Sequence, residues 1–107
     1  MQVENLIIKN LLNDEEYVRK TLPFIKSEYF SDSGQRNIFE IIFKYFSDYN
    51  ASPTKEALEI EAGNLNNVSD EQYNSLLEYI KNIDDEKSDL DWALDTTEKW
   101  CKERAIY

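Results

Sequence analysis

The chain of 107 residues has no histidine, one cysteine, two glycines and two prolines. Each scarcity excludes something. Without histidine there is no imidazole for acid–base work and none for metal ligation. Cys101 alone can form neither an internal disulfide nor a Cys/His dyad, which fits a reducing compartment, and on a helix it reads as a small half-buried apolar residue. Gly34 and Gly63 are too isolated for a phosphate-binding loop, and neither G-x-x-x-x-G-K-[ST] nor G-x-G-x-x-G can be written anywhere. So few glycines and prolines also argue against an all-β fold, whose many turns need both. The opening "MQVENLIIKNLL" has no basic segment and no long apolar run, so neither a signal peptide nor a membrane span is expected.

What is present is a globular composition, 41% hydrophobic and 13% aromatic, with Phe and Tyr spread along the chain. A chain of this size buries roughly 65% of its unfolded surface, enough for one core and no second domain. The formal charge is −10. A surface this acidic repels phosphate backbones, and no Lys/Arg stripe makes a local exception, so direct nucleic-acid binding is disfavoured. The acids at Asp84, Asp85, Glu86, Asp89 and Asp91 raise the question of calcium. An EF-hand loop needs alternating ligands and a glycine at its sixth position, and no register here supplies both, so the stretch reads as a solvated connection. Nothing selects a catalytic carboxylate pair among the 22 acids.

Periodicity then gives about six helices, a compact orthogonal all-α bundle. "VENLIIKNLLN" sets Val3, Leu6, Ile7 and Leu11 on one stripe, with Asn13 closing the helix or capping the next. "DEEYVRKTL" opens with acids, stops before Pro23, and turns Tyr17, Val18 and Leu22 inward. "PFIKSEYFSDSG" is a connection whose Phe24, Ile25, Tyr29 and Phe30 are apolar enough to pack down onto the core. "QRNIFEIIFKYFSDYN" is the strongest helical signal and is expected to be the central helix, facing inward through Ile38, Ile41, Ile42, Tyr45, Phe46 and Tyr49, with Phe39 at the edge. In "ASPTKEALEIEAG", Ser52 or Thr54 is the N-cap, Leu58 and Ala62 are inner, and Gly63 lies just past the end. "SDEQYNSLLEYIKNI" carries a capping box, Ser69 with Gln72, ahead of Tyr73, Leu76, Leu77, Ile80 and Ile83. Ser88 is placed to cap the last helix, which sets Leu90, Leu94, Thr97, Cys101 and Ala105 along one side. No repeat or long heptad run occurs.

That last helix reads as unfinished, with no Gly, Pro or Asn near its end. Trp92 is expected to pack against the bundle. Trp100 and Tyr107, with Arg104 beside them, are the candidate oligomer or partner contacts, because Trp, Tyr and Arg anchor interfaces. No catalytic, cofactor-binding or metal-ligating residue is assigned.

The order of features over about a hundred residues resembles the N-terminal domain of DnaB-like phage replicative helicases of the T4 type. Carrying it are "EYVRKTLPFIKSEYF" with Tyr17, Pro23 and Glu28-Tyr29-Phe30, then Asn37, Phe39, Ile42, Tyr49, Pro53 and Ala57-Leu58. The tail adds Trp92, Thr97-Glu98-Lys99 and Arg104-Ala105. The resemblance implies a non-catalytic helical head at about 1–88, with 89–107 leading toward the hairpin of a collar above the ATPase ring. It implies partners as well: copies of itself in a hexamer, and primase or a helicase loader in the primosome. The setting is the host bacterial cytoplasm at the replication fork, with ATP and Mg held by the rest of the parent helicase, and with no cofactor, nucleic acid or membrane bound by this part. The competing expectation is a free-standing acidic phage protein that mimics DNA and inhibits a host enzyme. A small enzyme is disfavoured by the missing chemistry.

Overall fold

A computed structural model describes residues 3–106. Six α-helices follow one another, and there is no strand among the described residues. They are α1 (Val3–Asn13), α2 (Glu15–Thr21), α3 (Ser33–Tyr49), α4 (Lys55–Gly63), α5 (Asp70–Lys81) and α6 (Leu90–Ala105). The α2–α3 connection holds two 3-10 turns, Leu22–Phe24 and Ser27–Tyr29.

Local chemistry sets most of the helix starts. The side chains of Asp14, Asp32, Thr54, Ser69 and Asp89 each accept the N–H of the residue three further on, and Ser69 and Gln72 complete the capping box. Each such cap stabilises its helix by about 1 kcal/mol. Three candidate caps have other work. Asn13 donates to the Lys9 and Asp84 carbonyls, Ser52 donates to the Leu11 carbonyl, and Ser88 pairs with Asn10. Asn50 closes α3 in the left-handed region (φ 55°), a conformation that asparagine tolerates better than most residues. Gly63 is the last residue of α4 rather than the first beyond it, and Asn64 closes the helix.

α1 is the most enclosed helix. Leu6, Ile7, Ile8 and Leu11 are buried, and so is Asn10, because α2, α3 and α6 all pack on α1. α3 lies across α1, α4 and α5, and α4 and α5 form a hairpin. Phe30 is fully buried between Phe39 (ring centroids 5.4 Å apart) and Trp100 (5.1 Å), and Tyr29 meets Trp100 edge-on at 5.9 Å. Such aromatic pairs add about 0.5–1.5 kcal/mol each beyond their burial.

Four expectations about orientation are corrected. Phe24 is 71% exposed, because Leu22 and Ile25 on either side of it take the inward positions of the turn. Tyr49 is 67% exposed, because the fully buried positions of α3 end at Ile42, Phe46 is the last to pack against the core, and the helix end runs past it. Trp92 is 55% exposed. The inner face of α6 is Ala93, Thr97 and Trp100, with Leu90, Leu94 and Cys101 half-buried beside it and Ala105 exposed. Small Ala93 lets the helix approach closely, and the large Trp100 ring fills the space farther along.

Candidate docking surface

The feature best placed to meet another molecule is a groove of about 490 Å³ between α6 and the end of α2 with its following turns. Its walls are apolar, from Phe24, Tyr29, Leu94, Cys101 and Ala105. Pro23 sits at the start of the first 3-10 turn, and that tight turn leaves Pro23 and Phe24 outward while Leu22 and Ile25 go in. Behind the groove, the Tyr17 hydroxyl and Thr97 Oγ1 share a hydrogen bond of 2.6 Å that ties the two walls together, and within α2 Thr21 donates to the Tyr17 carbonyl. The rim is charged but internally paired. Lys20 meets Glu16 at 3.0 Å and Lys102 meets Glu98 at 2.9 Å. An exposed apolar wall with a neutralised rim suits packing by another apolar surface better than chemistry.

Two groups beside the groove hold their protons. Burial pushes the Tyr17 phenol far above its ordinary range, and burial raises the Cys101 thiol, so neither is ionised near neutral pH. Tyr79, on α5, is likewise raised by burial and hydrogen-bonds to Asn5, which also accepts from Gln35. Among the described residues, no three His, Cys, Asp or Glu side chains converge as metal ligands do.

Of the three candidate contacts, the structure brings two together, Trp100 and Arg104. Trp100 is only 5% exposed and belongs to the aromatic core, so its ring has no free face to offer, and its indole N–H finds no acceptor among the described residues. The Arg104 guanidinium lies 5.5 Å from the Trp100 ring centroid and donates to Glu4 at 2.9 Å, fastening α6 to α1. Tyr107 lies outside the described residues. Phe24 is the residue that sequence reasoning missed. The signal is the run Leu22-Pro23-Phe24-Ile25, since a short turn cannot turn Leu22, Phe24 and Ile25 all to the same side.

No family model matches the chain. Among curated proteins, it is 28% identical over 102 residues to a DnaB-like replicative helicase of Enterobacteria phage T4. The aligned stretch takes in 95% of this chain and 21% of that protein. The chain thus spans about a fifth of the length of the curated relative it matches, and the likeness, though distant, runs through nearly all of its helices.

Proposed function

We propose that this chain is a non-catalytic assembly and docking module of a phage replicative DNA helicase. The observation that carries the reading is the likeness to the T4 protein over 95% of the chain. A match confined to one amphipathic helix would speak only for a shared local pattern, whereas one running through almost the whole bundle speaks for a shared unit. In this reading residues 1–88 form the head, 89–107 lead toward a collar hairpin, and copies of the module sit together in a hexameric ring. The α6 groove then receives an apolar segment of primase or of a helicase loader, with Phe24 as the anchor. ATP hydrolysis and strand separation belong to other parts of the helicase. The charge of −10 keeps the module off the strand phosphates and speeds encounter with a basic partner.

The coding sequence after the Tyr107 codon is the first test, and it should continue into a G-x-x-x-x-G-K-[ST] motif. The longer protein should then sediment as a hexamer and retain the cognate primase. Phe24→Ala should weaken that retention about tenfold while leaving the melting temperature in place. A longer protein that stays monomeric at micromolar concentration and ignores primase would sink the proposal. A stop codon, together with displacement of DNA from a host enzyme at low salt, would favour the acidic inhibitor instead.

A further inference from the structure

A second groove, of about 370 Å³, lies between α3 and α4, and its chemistry differs from that of the α6 groove. Glu40, Asp48 and Glu61 line it against a single cation, Lys44, whose Nζ is 3.1 Å from the Asp48 carboxylate. Glu40 and Glu61 are exposed and form no ion pair among the described residues. The field is extended by the adjoining hairpin, where Glu56 through Ile80 carries six acids and no Lys or Arg. Into this negative groove α3 presents two aromatic rings, Tyr45 and Tyr49, with centroids 4.6 Å apart. The core makes little use of Tyr49, which is mostly solvent-exposed.

Carboxylates beside exposed aromatic faces suit a guanidinium, which stacks on a ring through its plane and donates through its edge. The same helix already shows the arrangement once. The Arg19 guanidinium lies 5.3 Å from the Phe46 ring centroid and donates to both oxygens of Asn50. A second copy of this chain is a poor occupant. Its three arginines are engaged, Arg19 with Glu15 and Asn50, Arg36 with the Phe30 carbonyl and Arg104 with Glu4, so none is free to enter the groove of a neighbour. A nucleic acid would bring phosphates against the carboxylates.

We propose that the α3–α4 groove docks an arginine-bearing segment of a basic partner protein, one guanidinium stacking on the Tyr45–Tyr49 pair and donating to Glu40 or Glu61. The inference goes beyond the helicase reading and does not depend on it.

The test is fluorescence anisotropy of the 107-residue chain at low salt with a short fluorescein-labelled peptide of alternating Arg and Ser. Tyr49→Ala, and separately the pair Glu40→Gln with Glu61→Gln, should weaken binding about tenfold. The pair Glu71→Gln with Glu78→Gln removes the same charge from exposed positions of α5 and should weaken it no more than about threefold. A Lys–Ser peptide should bind several-fold more weakly than the Arg–Ser one. All of the substituted residues are exposed, so unchanged thermal melts will confirm that each variant folds. Absence of binding, equal losses from the two charge-neutralised pairs, an unaffected Tyr49→Ala, or a Lys–Ser peptide that binds as tightly would each overturn the proposal.

Discussion

Two connections in this molecule are opposite in composition and are both held in place. Residues 22–32, between α2 and α3, are rich in apolar side chains and are held by burial: Leu22, Ile25 and Phe30 lie in the core, and Arg36 donates to the Phe30 and Ser31 carbonyls. Residues 82–89, between α5 and α6, are acidic, and their side chains from Asp84 to Lys87 stand in solvent. Polar side chains fasten their backbone instead. Asn13 donates to the Asp84 carbonyl at 2.8 Å, Lys55 to the Ile83 carbonyl at 2.6 Å, and Asn10 exchanges two hydrogen bonds with Ser88. The difference teaches that polarity forecasts where side chains go and says little about whether the backbone beneath them is free.

The comparison can be broken hardest at Phe30. Phe30→Ala removes a fully buried ring from between Phe39 and Trp100 and should destabilise the fold by about 3–5 kcal/mol in urea melts, a large part of the total for a domain of this size. A loss below about 1 kcal/mol would mean that the first connection is not fastened by burial.

Next comes Asn10→Ala, which strips the acidic connection of its buried latch. Leaving the Ser88 N–H and the Leu6 carbonyl with one partner fewer should cost about 1–3 kcal/mol. Hydrogen exchange should then quicken around Ser88 and not around Phe30.

Tyr17→Phe lies in the first turn of α2, one turn ahead of the apolar connection. Losing the bond to Thr97 should cost about 1 kcal/mol at neutral pH. Its larger signature is in alkali. Because burial raises the folded phenol above its unfolded value of about 10, the folded state holds the proton longer, and stability is full below that pH and falls as pH rises above it. The substituted protein should show a shallower alkaline loss, and an identical slope would show that Tyr17 is not the group responsible.

The smallest effect is expected from Lys55→Met. Its ammonium bridges the Ile83 carbonyl and Asp85, but the Asp85 side chain is 85% exposed, so the pair should be worth at most about 1 kcal/mol and less in high salt.

Much of this fold is legible in the sequence, because much of it is local. The span of α1, the Ser69–Gln72 capping box and the inner positions Leu58 and Ala62 follow from spacing and cap chemistry alone. The misplacements arise where a distant residue makes the choice. Ser88 is drawn away from capping by Asn10, 78 positions earlier, and Asp89 takes the role. The face of α6 turns toward Trp100 because Phe30 and Tyr29 wait there with complementary rings. Of the two grooves, neither could be read from spacing, since both lie between elements and depend on residues that the core leaves outside. Only the exposed Phe24 inside "LPFI" and the exposed end of α3 mark where they lie.

The tie between Arg104 and Glu4 joins positions 100 apart, and the Tyr17–Thr97 and Asn10–Ser88 contacts span 80 and 78. On a ribosome adding about 5–20 residues per second, α1 therefore waits roughly 5–20 s for the helix that completes its cover. Throughout that interval Ile7, Ile8 and Leu11 lack their final shield. The nascent chain, more than the finished protein, is the form that chaperones and aggregation partners meet.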